Sequence, residues 1–342
     1  MVLKTSALPR SETSSDAPAS WSNLPRKGQL FVLAFCRVFD FMQVASFQTI
    51  CYYQLKSFGS DLPEHQLSWQ SGVASGSFSA AQIFTAVIWG WIADAAWVGR
   101  KRVLMMGLWG TAIGCVGLAF SRSFFAVVIF RLLAGASNVF CFSLTKTSAF
   151  GNLLPLFLSS PRKTVARGLP FVFNGGLGMA PRAVGLALAI LGAIGILLQF
   201  LIYPRINTRL GNVQCFRIFC ILFPIAYALA PFLAVVPTDP AYLTWVCITL
   251  VIAIHTTGRI FVLPATIVLL NNCAPDPSVL GMVHGVGQTT SALFRTLGPV
   301  SAGWMFGKSF ESGVIGAVWW GFAVVAVFGW VASLFVWERP AG

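Results

Sequence analysis

The sequence predicts an all-α, polytopic transmembrane helix bundle, on three observations. Of its 342 residues, 56% are hydrophobic and only 10% are charged, whereas a soluble domain is about half apolar and about a quarter charged. Continuously apolar runs of roughly 20 residues, enough to cross a bilayer as a helix, recur along the chain; membrane β-strands would be shorter and would alternate. The basic residues gather in short connections between these runs, as on the cytoplasmic side of membrane proteins. This composition excludes a soluble enzyme, a disordered protein and a secreted disulfide scaffold. The formal net charge of +13 comes from 23 Lys+Arg against 10 Asp+Glu. With no basic helix or RNA-binding signature it does not point to nucleic acid.

Nine full spans and one short partial one are read from the apolar runs. Residues 1–25 are rich in Ser and Pro and have no apolar h-region, so they read as a disordered cytoplasmic tail and not a signal peptide. Span one covers about 29–55, span two 72–98, span three 103–121 and span four 123–143. An irregular stretch, 144–182, holds a short apolar run, NLLPLFLSS. Spans five to nine follow at about 183–203, 214–236, 241–270, 279–306 and 312–337. The organisation is therefore 1–25, 26–143, 144–182 and 183–342. Asp61, Glu64 and His65 read as the loop after span one, and Gly175-Gly176-Leu177-Gly178 reads as a flexible loop.

Orientation follows from the basic connections. With the amino terminus inside, Arg100, Lys101 and Arg102 are inside. If 144–181 is only a loop, Arg205 and Arg209 fall outside. If 144–158 adds a crossing, they return inside, while Arg162, Lys163 and Arg167 go outside. That crossing is short and carries Lys146.

Charges at mid-depth in a spanning helix cost about 3 kcal/mol each on insertion scales, so they persist where they pair or face a water-filled path. Arg37 and Asp40 lie in span one, three residues apart and so on one helix face. Arg131 lies in span four, Arg259 in span seven and Arg295 in span eight, with His255 and His284 near the last two in sequence. Asp40 is the only acid deep in a span. Burial raises a carboxyl pKa and a neighbouring arginine lowers it, which is the balance a proton-coupling site needs; a static ion pair is the alternative. Gly72-x-x-x-Gly76 and Gly110-x-x-x-Gly114 have helix-packing spacing, and Gly298-Pro299 weakens span eight locally. The eight cysteines read as small buried hydrophobes. No phosphate-binding G-x-x-x-x-G-K-[ST] loop, metal constellation or catalytic triad is visible, so neither cofactor nor enzymatic activity is expected.

The stretch GWIADAAWVGRKRVLMMG, 90–107, resembles the signature between helices two and three of the major facilitator superfamily, Gly-x-Leu-x-Asp-x-x-Gly-Arg-Lys. It supplies Gly90, Asp94, Gly99, Arg100, Lys101 and, next to them, Arg102, with four residues between Asp94 and Gly99 where the family has two. Arg131-x-x-x-Gly135 is similar to the family's fourth-helix motif. Residues 24–43 resemble the first helix of fungal drug:proton antiporter-like and zinc-induced facilitator-like members. Residues 184–211, 258–288 and 295–304 resemble helix eight with its loop, helix ten and helix eleven.

The resemblance implies an incomplete major facilitator fold: helices one to four in 26–143, a junction at 144–182, and helices eight to twelve in 183–342, with helices five, six and most of seven missing. It selects the topology with 159–182 outside and 205–217 inside. It further implies a multi-pass membrane protein, in a plasma or vacuolar membrane, that transports a small-molecule solute by a secondary, proton-coupled mechanism. Asp40 would be the proton site with Arg37 and Arg131 as partners, Arg259 and Arg295 would face an anionic group, and Asp94 with Arg100–Arg102 would form a cytoplasmic gate. Gly135, Gly298 and Pro299 would serve packing and helix breaking. The partners are solute, protons and the lipid bilayer. The alternative is a shortened, transport-incompetent membrane protein arising from splicing or a gene-model error.

Overall fold

The computed structural model describes residues 44, 46–59, 62–94, 99–137, 149–162, 175–237, 239–272 and 280–337. Among these every long element is helical. Helix α1 covers 46–57, and α2 Glu64–Asp94, α3 Gly99–Ala119, α4 Phe124–Ser137 and α5 Ala149–Ser159 follow. Then come α6 Pro181–Leu197, a π-helical turn Leu198–Ile202, α7 Tyr203–Cys220, α8 Leu222–Leu229 and a 3₁₀ turn Ala230–Ala234. The last three are α9 Ala241–Asn272, α10 Leu280–Ser312 and α11 Gly316–Leu334. Pro181–Ala234, Ala241–Asn272 and Gly316–Leu334 are long and apolar enough to cross a membrane, and α3, α4 and α5 contribute shorter apolar stretches. The chain is an integral, multi-pass membrane protein.

Helices α2 and α10 are longer than a bilayer core is thick. α2 has 31 residues and α10 has 33, lengths of about 46 and 50 Å at 1.5 Å per residue against a hydrocarbon core of about 30 Å. Glu64 and His65, expected in a loop, therefore sit in the first turn of α2. There Tyr52 of α1 donates to both Glu64 carboxylate oxygens at 3.1 Å.

In lipid, helices associate through close packing and not through the hydrophobic effect. The most extensive contact among the described elements joins α2 to α10, and it is made by small residues. A Cβ on Gly72 would run into the Pro299 carbonyl, one on Gly76 would lie 2.8 Å from Val300, and one on Gly303 would meet the Ser68 carbonyl. The two helices are antiparallel, and at the far end His65 Nδ1 pairs with Glu311 Oε1 at 2.7 Å. α10 stays helical through Gly298-Pro299. α3 and α4 form a second small-residue pair, with Gly110 against Ser137, Gly114 against Ala134 and Gly117 against Phe130.

The carboxy-terminal helices turn where the sequence places a connection. The rings of Tyr203 and Phe219 both pack on Phe261, at 5.5 and 3.8 Å between centroids. A straight helix would hold residues 203 and 219 about 24 Å apart. The chain leaves helical geometry between them, at Gly211 with φ 75° and ψ 169°, a conformation that suits glycine.

Among the described residues, the short run at 149–159 is the most buried helix. Phe150, Leu153, Leu154, Phe157 and Leu158 of α5 are all at most 1% exposed. A helix apolar on all sides is buried on all sides, and protein, not lipid, surrounds this one, so it has no bilayer thickness to match. Its continuation is tied down rather than loose. Leu177 and Met179 backbone N–H groups donate to the Phe157 and Leu158 carbonyls, and Gly178 N–H to the Ser160 carbonyl. Arg162 donates to the Ala234 and Val236 carbonyls at 3.0 and 2.6 Å.

Gly72→Leu should lower the unfolding midpoint of the purified protein in detergent, by the roughly 1–3 kcal/mol that overpacking costs. Gly192→Leu, where a Cβ meets nothing within 4 Å, serves as the comparison. Equal midpoints for the two variants would contradict the tight α2–α10 contact.

Candidate functional site

The polar groups buried at mid-depth are positioned by glycine contacts and by aromatic rings. Gly135 of α4 lies against the Phe78 carbonyl of α2, which leaves no room for a side chain there. One turn earlier on α4, Arg131 is drawn against the same helix. Its Nε donates to the Ala74 carbonyl at 3.3 Å. Its guanidinium carbon sits 3.9 Å from the centre of the Phe47 ring and 4.5 Å from that of Phe78. Arg131 is 4% exposed. Two ring faces and a carbonyl thus hold this buried charge, and no described carboxylate is within ion-pair distance. Its Nη1 has no hydrogen-bond acceptor among the described residues.

A second cluster forms around α5. Its Phe150 ring stacks on the His255 imidazole of α9 at 3.8 Å and 9°. The Phe150 backbone N–H, free of helical partners in the first turn, donates to the Tyr227 hydroxyl at 3.2 Å. Trp319 of α11 meets Phe150 edge-on at 5.7 Å. On the other side of α5, Gln48 of α1 lies beside Gly151. α5 therefore separates α1 from α9, with the Asn152 amide nitrogen buried and unpartnered among the described residues. Gln82 of α2 is 3% exposed, and its Oε1 is likewise unpartnered among them. Buried polar atoms are rarely left unpaired, which makes these atoms candidates for the site.

The expected site residues distribute as follows. Arg131 and Gly135 act together on α4, as their motif spacing suggests. Arg295 is buried on α10, next in sequence to Thr296, whose carbonyl faces Gly76. Arg259 lies one turn beyond His255 on α9. Gly298 and Pro299 belong to the α2 contact. Arg37 and Asp40 lie outside the described residues. Gly90 and Asp94 are in the last turns of α2, and Gly99, Arg100, Lys101 and Arg102 open α3. Of these last six, only the Arg102 side chain is described, and it is exposed. Sequence reasoning missed Phe47, Phe78, Gln82, Gln48 and Asn152. The three amides could have been found as uncharged polar residues inside apolar runs, but the two phenylalanines carry no such signal.

Residues 30–150 match the model of the Major Facilitator Superfamily. The multidrug transporter mfsB of Aspergillus fumigatus, named as a member of that superfamily, is 31% identical over 217 residues, which are 64% of this chain and 35% of that protein. Protein ZINC INDUCED FACILITATOR 1 of Arabidopsis thaliana is 29% identical over 172 residues, 50% of this chain and 32% of that protein. The chain thus matches about a third of the length of each relative. Among solved structures, a mutant of the nucleoside transporter NupG is similar with a TM-score of 0.57 at 13% identity, covering 85% of this chain and 98% of that one. At that identity the likeness concerns the fold alone.

Because rings rather than a described carboxylate hold Arg131, a double-mutant cycle with Arg131→Met and Phe78→Leu should show a coupling of about 0.5–2 kcal/mol in thermal unfolding. Additive effects would contradict the ring contact.

Proposed function

We propose that this chain belongs to the major facilitator superfamily and works as a secondary transporter of a small solute, coupled to protons, and not as an enzyme. The observation that carries the proposal is Arg131, buried without a described carboxylate partner and held by Ala74, Phe47 and Phe78. A fixed buried charge of this kind leaves a carboxyl group within its reach sensitive to whether a proton or a solute is present. Asp40 is the candidate. It is the acid that lies deep in an apolar run of the sequence. Protonation would cancel its attraction to arginine and let the surrounding helices repack; loss of the proton would restore it. Such exchange between two packings about a midplane site is how secondary transporters alternate access.

Arg259 and Arg295 supply further positive charge at depth and favour a solute with an anionic or electron-rich group. His255, buried and stacked flat on Phe150, lies one turn from Arg259 on the same helix. Asp94 and the basic run Arg100–Arg102 lie at the α2–α3 end and are assigned to the cytoplasmic closure. The name of the fungal relative speaks of multiple drugs, which makes a broad substrate range the first to test.

The test uses the full chain in proteoliposomes with ethidium, and with rhodamine 6G as a second probe. A pH gradient should drive uptake of at least one dye, and Asp40→Asn should remove the gradient-driven part by about tenfold or more, the scale of losing one pKa-tuned group. Dye flux indifferent to the gradient contradicts proton coupling. No flux of either dye contradicts the multidrug reading.

Arg131→Lys keeps the charge but loses the planar contact with two rings. It should retain part of the gradient-driven flux, and Arg131→Met none. Equal flux in both variants would remove Arg131 from the mechanism.

A further inference from the structure

Gln82 lies in the apolar part of α2, and its carboxamide oxygen does nothing to hold the described helices together. The residue is 3% exposed, and its Oε1 meets no hydrogen-bond donor among the described residues. A buried acceptor left unpaired destabilises the folded state, and an apolar side chain of the same shape would not. Stability alone therefore gives no reason for an amide here.

The side chain is directed inward. At about 100° per residue, Ser71, Phe78 and Gln82 fall within about 40° of one another and form one stripe along α2. On this stripe the Ser71 hydroxyl donates to Cys51 Sγ of α1 at 3.7 Å. One turn before Gln82, the Phe78 ring lies 4.5 Å from the guanidinium carbon of Arg131 on α4. The Nη1 of Arg131 is likewise without an acceptor among the described residues. The adjoining face of α2, with Gly72 and Gly76, meets α10. Gln82 thus falls between the face that meets α1 and α4 and the face that meets α10. Phe84, about 160° round the helix from Gln82, is 75% exposed.

We propose that Gln82 determines solute specificity: its carboxamide oxygen accepts a hydrogen bond from the solute, an apolar molecule that carries an N–H or O–H donor. The proposal rests on the transporter reading and names the chemistry of its solute. A donor that reaches Oε1 relieves the unpaired acceptor, so a solute with that donor binds better than its analogue without it. The Phe78 ring one turn away supplies apolar contact beside the amide.

The experiment uses the full chain purified in detergent and two dyes with the same xanthene core. Rhodamine 6G carries N–H groups on its ethylamino substituents; the ethyl ester of rhodamine B has diethylamino groups and no N–H. Binding is measured by equilibrium dialysis, and thermal unfolding is followed without dye. Gln82→Leu should weaken rhodamine 6G binding by about three- to tenfold, the scale of one hydrogen bond, and leave the ester within about twofold on that scale. The same substitution should leave the unfolding midpoint unchanged or raise it, because it removes an unpaired buried group. Gln82→Glu retains an acceptor and should keep rhodamine 6G binding. A lowered midpoint in Gln82→Leu would assign the amide to the fold and overturn the proposal. Equal losses for the two dyes, unchanged rhodamine 6G binding, or no rhodamine 6G binding by the unsubstituted protein would each overturn it as well. Loss of rhodamine 6G binding in Gln82→Glu would overturn the assignment of Oε1 as the contact. The transporter reading fails separately, by absence of gradient-driven flux in vesicles of a protein whose binding responds to Gln82 as described.

Discussion

Ser68, Gly72 and Gly76 of α2 face Thr296, Pro299, Val300 and Gly303 of α10 with backbone almost on backbone. In a bilayer the tails are as apolar as leucine, so burying apolar surface does little to bring helices together. Contact must come from atoms that fit closely, and here the missing side chains permit it. α2 also carries α4, through Gly135, and α4 carries α3. Much of the described bundle is therefore referred to the α2–α10 seam: if the seam opened by the width of one methyl group, the helices on either side would lose their common reference. The seam ends in the contact of His65 with Glu311, beyond the apolar part of both helices.

The second constraint is α5. An 11-residue helix is too short to cross a bilayer, yet this one has every large apolar side chain buried. Placed between α1 and α9, it brings Phe150 against His255 and Gly151 against Gln48, and leaves the Asn152 amide facing inward. Buried polar groups such as Arg131 and His255 thus lie on inward faces of their helices, while Trp109, Phe200, Phe294 and Phe328 remain apolar and exposed. Buried Arg131 fits the same division: it is held by ring faces and a carbonyl, which attract a cation without fixing it as a carboxylate would.

Much of this was legible in the residues, and the reasons for the rest are physical. Hydropathy reports apolar stretches, so it finds apolar helices but not the polar helix turns beyond them. Glu64 and His65 were therefore read as loop although α2 includes them. Gly72-x-x-x-Gly76 announced a close approach without naming its partner, because any small-residue face can receive it. Arg131 and Gly135 were legible as a motif, but their contacts with Ala74 and Phe78 were not. Phe47 and Phe78 were not legible, since a phenylalanine in an apolar helix looks the same over a guanidinium as over a lipid tail. The crossing weighed at 144–158 was read as short because its length was compared with bilayer thickness, a comparison that does not apply to α5, a helix enclosed by protein.

The measurement that bears most directly on the seam is a cross-link in the membrane. The eight native cysteines are replaced, His65→Cys and Glu311→Cys are introduced, and a protease site is inserted between residues 163 and 174. Treatment with a short bifunctional thiol reagent is followed by cleavage. With α2 and α10 joined as described, the two fragments should remain covalently linked in most molecules, and a pair at Trp109 and Glu311 should give none. Fragments that separate as freely in the first case as in the second would contradict the α2–α10 seam and the account built on it.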